Sequence, residues 1–375
     1  MIMKSKLPVL TLKGSPHEIG YEHGKKARPE IHQNLEVYFR RFKSETELSH
    51  DVAISRAARF LEVINKVSPE YAATMKGVAA GSGQDILDIT ALNVRYELMY
   101  SQFSKIGLKP IPKTFGCTAF ATLPKSVENG HLLMAQNWDW IPEVKGLFLK
   151  VRNESGPDVL CFTEAGVVGG KIGLNSEGLG LLINGIVSSK DDWARLKKPF
   201  HVRCWEILRS KTLRKAARIV SQGERNCSAN FILGQQKKTG KGKVIDIESA
   251  PEAVCEIEPE RGSVAHTNHF SNPKLLGVRQ VVDEERLSTL QRYKRIQRLL
   301  DGTVRAGQKL SLASAKSMLR DHNGKPESVC RHSNPKLPEY ERYETVVSVI
   351  MDVSGRKLWA AMGSPCTTEY SSIKL

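Results

Sequence analysis

The dipeptide Gly116-Cys117, followed by Asn137-Trp138-Asp139-Trp140, holds the residue types best suited to chemistry in this chain. Cys117 ends the loop-like stretch Lys109-Pro110-Ile111-Pro112-Lys113-Thr114-Phe115-Gly116 and opens an apolar, β-prone run, Thr118-Ala119-Phe120-Ala121-Thr122-Leu123. A small residue before a nucleophilic side chain at the start of a strand suits a backbone that cuts itself. The Cys117 thiolate attacks the Gly116 carbonyl, the acyl group moves from nitrogen to sulfur, and water releases residues 1–116. Cys117 then carries a free α-amine whose ordinary pKa is near ~8, close enough to neutrality to serve as base for the neighbouring thiol. Taken alone, Gly-Cys more often marks an inert core cysteine, since free cysteines are usually buried.

Other strings narrow the choice. Asp139 lies between Trp138 and Trp140, where a carboxylate is expensive to bury unless it is paired; the plainer reading is an aspartate capping a turn. Asn268, in His266-Thr267-Asn268-His269, carries a neutral amide able to donate a hydrogen bond to an oxyanion. The two histidines at i and i+3 lack a carboxylate or cysteine at ligand spacing, so no metal site is expected. Arg342 stands in Tyr340-Glu341-Arg342-Tyr343-Glu344, either as a site cation or as part of an exposed charged loop.

These strings, with Ser15-Pro16-His17-Glu18-Ile19-Gly20-Tyr21-Glu22-His23-Gly24, Thr163-Glu164-Ala165-Gly166 and Cys330-Arg331, occur in an order that resembles the isopenicillin-N acyltransferase family of N-terminal-nucleophile hydrolases. The resemblance implies an α+β fold of the αββα four-layer sandwich type. It implies catalytic roles for Cys117, Asp139, Asn268 and Arg342, with cleavage between Gly116 and Cys117. It implies no bound cofactor, acyl-coenzyme A entering only as a substrate. The chain departs from the family pattern at Ala119 and Ala250, where hydroxyl residues are expected. That departure speaks against penicillin-type transfer and leaves a self-processing cysteine amidohydrolase or acyltransferase acting on N-acyl amides or acyl thioesters. The alternatives are β-alanyl-amine hydrolysis, penicillin-forming transfer, a single-chain Cys-His hydrolase using His266 or His269, and a basic binding protein without catalysis.

The elements that must position these residues divide at Cys117. Before it, a short strand over residues 7–12 leads into a helix capped by Ser15, Pro16 and Glu18, with helical spacing continuing through Ile31, Leu35 and Tyr38. Two more helices are expected around Val52–Val67 and Ile86–Tyr100. Residues 1–116 therefore read as a mainly helical segment, which stays associated with 117–375 after cleavage. From Cys117 onward short apolar runs alternate with turns, Asn175-Ser176-Glu177-Gly178 being a natural hairpin loop. Helices return at His201–Ser210, Leu213–Ser221, Glu285–Leu300 and Ser311–Arg320. Strands grouped between helical blocks point to an α+β protein rather than a βαβ sheet.

Composition sets the outer limits. A chain of 375 residues, 40% hydrophobic and 26% charged, has ample material for a core. No apolar stretch approaches the ~20 residues of a membrane span, and Leu7-Pro8-Val9-Leu10 is too short for a signal-peptide core. Seven scattered cysteines without a Cys-x-x-Cys pair predict neither a disulfide framework nor a zinc site, and fit a reducing, cytoplasmic setting. The net charge of +16 is spread along the chain, with its densest cluster at Lys237-Lys238-Thr239-Gly240-Lys241-Gly242-Lys243, a solvated hairpin loop. No nucleic-acid motif accompanies it. The terminal Ile373-Lys374-Leu375 matches a peroxisomal signal only in its last two residues and is read as chance.

Overall fold

The computed structural model describes residues 7–106, 116–237, 241–280, 287–339 and 342–375. The loop expected before Gly116, the crown of the lysine-rich hairpin and the first residues of the Glu285 helix lie outside them. In chain order the elements are β1 Val9–Leu12, α1 Pro16–Lys26, α2 Arg28–Thr46, α3 His50–Val67, α4 Pro69–Ser82, α5 Ile86–Asn93 and α6 Arg95–Ile106. There follow β2 Gly116–Thr122, β3 Leu133–Trp140, β4 Gly146–Val151, β5 Val159–Glu164, β6 Ile172–Asn175, β7 Leu179–Gly185, α7 Phe200–Leu208 and α8 Leu213–Ser221. The chain then runs through β8 Ala229–Gln235, β9 Lys243–Ser249, β10 Val254–Ile257, β11 Ser263–His266, α9 Leu287–Arg305, α10 Leu312–Leu319, β12 Glu344–Asp352, β13 Lys357–Met362 and β14 Ser371–Lys374.

Two sheets face one another. One has the strand order β1-β4-β5-β6-β7-β8-β9-β10, the other β11-β2-β3-β12-β13-β14. Neighbours are antiparallel except β1 and β4, which run parallel. Gln136 of β3 ties the layers, its amide bonding both the carbonyl and the N–H of Ile183 on β7. Alternation along β2 sends Cys117, Ala119 and Ala121 into the main core and Phe120 into a second core that also contains Ile296 of α9 and Met318 of α10. Helices α7 and α8 cover the larger sheet. The result is an αββα sandwich, with α1–α6 packed where α7 meets the β5–β6 turn: Tyr71 of α4 meets Trp205 edge to face, and Asn93 of α5 donates to Gly166 O.

Local signals explain the start of the helical block. Ser15 and Glu18 form the capping box, the Ser15 hydroxyl accepting from Glu18 N and Glu18 accepting from Ser15 N. The single helix expected through Tyr38 is instead two, broken at Ala27, because Pro29 cannot supply the N–H that a continuous helix needs there. The expected helix set lacked α4.

α4 packs unusually closely against α1. A Cβ at Gly20 would lie 2.0 Å from Thr74 O, and one at Gly24 2.3 Å from Val78 O. From the other side, a Cβ at Gly77 would lie 2.1 Å from His17 O, and one at Gly81 2.1 Å from Tyr21 O. Paired glycines at i and i+4 on both helices bring the two backbones into contact. Gly77→Ala therefore overpacks a rigid backbone contact and lowers stability by about 2–3 kcal/mol, despite alanine's better helix propensity. Urea unfolding beside an exposed control, Lys76→Ala, measures it.

Candidate active site

β2 is an interior strand between β11 and β3, and its first two residues, Gly116 and Cys117, pair with Asp139 and Trp138. The Cys117 N–H donates to Asn268 Oδ1 at 2.6 Å. Its carbonyl accepts from the guanidinium of Arg292, which also reaches Thr118 Oγ1 at 3.1 Å and Asn268 Oδ1 at 3.1 Å. Asn268 is held by its own N–H on Thr289 Oγ1 and by Nδ2 on Gly185 O at 3.0 Å. The amide oxygen of Asn268, rather than its NH2, thus meets Cys117; one Nδ2 hydrogen serves Gly185.

Gly116 matters for what it lacks. A Cβ there would lie 2.5 Å from Arg331 Nη1 and 2.7 Å from Asp139 Oδ2. Both atoms are buried without a hydrogen-bond partner among the described residues. Asp139 Oδ1 accepts from Thr345 Oγ1 at 2.7 Å, and the same hydroxyl accepts from the Arg331 N–H at 3.0 Å. Burial raises the Asp139 pKa to about 7, against the opposing pull of Arg292 and Arg331. Burial, with the Asp139 charge, pushes the Cys117 thiol up to about 11, while the Asp139 backbone N–H and Arg292 favour its thiolate.

The polar groups of the site therefore surround Gly116 and Cys117, with Asn268 on the N–H of the peptide between them and Arg292 on the carbonyl of the next one. A cavity of about 20 Å³ adjoins these residues, lined by the stacked rings of Tyr96, Tyr100 and Phe200, by Trp138 and Trp140, and by Lys171. A larger cavity, about 170 Å³, opens between α1, α7 and the β4–β5 edge; its thiol, Cys161, is pushed up to about 12 by burial and is a core cysteine.

Behind the small cavity sits a charged cluster. Glu164 accepts from Tyr38, from Arg95 Nε at 2.9 Å and from Lys171, whose ammonium also lies 3.5 Å from the Trp138 ring centre. Arg95 and Lys171 hold the Glu164 pKa far below the usual carboxylate range in spite of its burial. Burial brings Lys171 down to about 7, Glu164 opposing.

The structure brings Gly116, Cys117, Asp139 and Asn268 together. Arg342 is elsewhere: its guanidinium donates to the carbonyls of Leu337 and Pro335, and the arginines at Asp139 are Arg292 and Arg331. The reason is that Arg331 precedes the final approach to β12 and runs alongside Thr345, whereas Arg342 caps the intervening turn. His266 is also unavailable as a base. Its ring nitrogens face Glu248 Oε1 at 2.9 Å and Thr267 O at 2.8 Å, and against the effect of burial the Asp246 charge, with Glu248, raises its pKa. His269 bonds the hydroxyls of Thr267 and Thr289. Among the described residues no histidine lines the cavity at Cys117. Ala119 lies on the Cys117 face of β2, but Ala250 sits in a separate apolar cluster with Ile186 and Phe270, and the Ser249 hydroxyl is used by Ala229 O.

Sequence reasoning left three site cations without roles. Lys171 follows Gly169-Gly170 in an apolar strand, and a lone lysine there signals a buried partner. Arg292 falls four residues before Ile296 and eight before Leu300, on the apolar stripe of α9. Arg331 had been noted only as part of Cys330-Arg331.

Residues 126–367 match the acyl-coenzyme A:6-aminopenicillanic acid acyl-transferase family. The chain belongs to that family. The matched stretch begins after Cys117 and includes Asp139, Asn268 and Arg331. The chain is 28% identical over 367 residues to the acyl-coenzyme A:6-aminopenicillanic-acid-acyltransferase 40 kDa form of Emericella nidulans, covering 95% of this chain and 92% of that one. Among solved structures, a Caenorhabditis elegans N-acylethanolamine-hydrolyzing acid amidase ortholog superposes with a TM-score of 0.45 at 15% identity, over 69% of this chain and all of that one. A Clostridium perfringens conjugated bile acid hydrolase mutant gives 0.45 at 12%, over 68% and 97%. Likenesses at that level do not bear on what this acyltransferase-family member acts on. No helix among the described residues is long and apolar enough to cross a membrane.

The Glu164 cluster yields a direct expectation. Glu164→Gln leaves Arg95 and Lys171 buried against a neutral amide, which costs about 3–5 kcal/mol. Because the folded pKa is depressed, the carboxylate's contribution is complete above its unfolded value near ~4.3 and is lost as pH falls through the lower folded one. In urea titrations the gap between wild type and Glu164→Gln is therefore full at neutral pH and narrows in acid.

Proposed function

We propose that this family member is an autoprocessed N-terminal-cysteine amidohydrolase or acyltransferase. The observation that carries the reading is the convergence of Asp139, Arg331 and Asn268 on the Gly116–Cys117 junction at the start of an interior strand, with Arg292 on the next carbonyl. Buried groups of both signs around an ordinary structural peptide bond would be unrewarded desolvation; around a bond to be broken they have work to do.

In this reading the Cys117 thiol, held neutral by burial, gives its proton to Asp139, and its sulfur attacks the Gly116 carbonyl. The C–N bond breaks, the proton goes to the departing nitrogen, and a thioester joins Gly116 to Cys117 Sγ. Water hydrolyses it, leaving a Gly116 carboxylate and a free thiol. Loss of Gly116 leaves the new α-amine facing Asp139 Oδ2 and Arg331, with Asn268 Oδ1 as its acceptor. That amine is then the base for turnover, in which Cys117 takes an acyl group from an N-acyl amide or acyl thioester and passes it to water or an amine. The second Nδ2 hydrogen of Asn268 is the oxyanion donor in this scheme. Among the described residues no histidine lines the cavity to serve the single-chain Cys-His alternative.

Self-cleavage is tested by intact mass and N-terminal sequencing: products 1–116 and 117–375, the latter beginning Cys-Thr-Ala-Phe and copurifying with the former, are expected. An uncut chain with full activity would overturn the reading, and Cys117→Ala should abolish both cutting and turnover. The pH dependence follows from Asp139. With a pKa of about 7 it is protonated in mild acid, so processing slows about tenfold per unit below neutrality and levels off above it. Asp139→Asn should remove that dependence along with most of the rate. Asn268→Ala should lower turnover by roughly 10²–10³-fold.

The aromatic walls and the absence of a hydroxyl at Ala119 favour substrates read by shape and apolar contact. Hydrolysis of simple N-acyl amides or short acyl thioesters is expected, with little transfer to 6-aminopenicillanate. A panel of N-acyl amines and amino acids, run beside an acyl-CoA with 6-aminopenicillanate, decides; efficient penicillin formation without amidase activity would contradict this.

A further inference from the structure

Outside the reaction centre, four side chains bring ligand atoms to one point. His322 Nε2, Cys330 Sγ, His332 Nε2 and Cys366 Sγ all lie within 4.8 Å of one another. His332 Nε2 is 3.1 Å from His322 Nε2, 3.6 Å from Cys330 Sγ and 3.5 Å from Cys366 Sγ. A tetrahedral zinc with Zn–N of about 2.0–2.1 Å and Zn–S of about 2.3 Å has ligand-to-ligand edges of about 3.3–3.8 Å. The two sulfur-to-His332 separations fall in that range and the 3.1 Å separation of the imidazole nitrogens lies just below it. The described hydrogen bonds of these four side chains run among themselves and, for Cys330, to the Cys366 backbone N–H. Both cysteines are free thiols.

We propose that His322, Cys330, His332 and Cys366 bind one zinc ion, and that the ion fixes the segment carrying Arg331. Two thiolates with two imidazoles select zinc over hard cations such as calcium or magnesium, and four protein ligands leave no open position, as in a structural site. The ligands come from three segments: His322 just after α10, Cys330 and His332 on either side of Arg331, and Cys366 in the turn after β13. Between α10 and β12 the described residues form no α-helix or strand, and a long connection of that kind is usually functional or disordered, so a bound ion would give the Arg331 guanidinium a fixed anchor. Two of the ligands, Cys330 and His332, flank the arginine that meets Gly116 and Asp139. The absence of a Cys-x-x-Cys spacing hid it, since Cys366 enters from the next hairpin.

The test is metal analysis of the purified full chain, expressed with zinc supplied and dialysed against a weak chelator. About one zinc per chain is expected. Cys366→Ser and His322→Ala should each lose most of it, His322 being exposed so that its removal leaves the core intact. Cobalt exchanged into the wild-type protein should give thiolate-to-metal charge transfer and the strong visible bands of a tetrahedral site, a readout that needs no variant. The uncut Cys117→Ala protein should bind the same ion, which separates this result from the fate of the self-cleavage reading. Wild type without zinc, full retention of zinc in both variants, or a Cys330–Cys366 disulfide in unreduced digests of freshly purified protein would each overturn the proposal.

Discussion

The missing side chain at Gly116 is the constraint on which the site depends. Because no Cβ stands there, Asp139 Oδ2 and Arg331 Nη1 can both reach the backbone at the start of β2. For that to happen β2 must be an interior strand in register with β3, Thr345 of β12 must hold both partners, and the segment after α10 must return beneath the sheet edge. Any residue other than glycine would force one charge away and leave the other buried alone. The two sheets, the crossing of α9 and the stretch carrying Arg331 are all arranged around that approach.

Electrostatics gives the arrangement its chemical character. Burial alone would leave a neutral thiol and a neutral acid, and the Cys117 pKa near 11 and the Asp139 pKa near 7 reflect that pressure. The buried cations Arg292, Arg331 and Lys171 work against it from different sides. Glu164 absorbs the charge of Arg95 and part of that of Lys171, so the cavity wall is cationic without being an unpaired cluster. In the self-cleavage we propose, a thiol that is quiet until its neighbours shift a proton lets folding precede cutting.

What was legible in the sequence follows from the range of the interactions. The Ser15–Glu18 capping box and the Asn175 hairpin loop, where Asn175 Oδ1 accepts from Glu177 N and Leu179 N, are local and were readable. So were Cys117, Asp139 and Asn268, each carried by a short string that the fold brings together. α4 escaped because its buried residues include Gly77 and Gly81, so burial on nearly every side erases the amphipathic pattern. Arg292 and Arg331 escaped because each is defined by a tertiary neighbour, Cys117 O in one case and Gly116 in the other. Arg342 was placed by resemblance within a charged string, and nothing local distinguishes it from Arg331. The His322–Cys366 cluster escaped for the same reason: three segments, one point.

The central claim is that the nucleophile is the N-terminal cysteine of a cut chain. The most direct measurement is to quench turnover of a slow acyl donor and locate the acyl group by fragmentation mass spectrometry. The account predicts a single acyl adduct on residue 117 of a fragment that begins at that residue. An adduct on another cysteine, or on Cys117 still joined to Gly116 in an active chain, would contradict it.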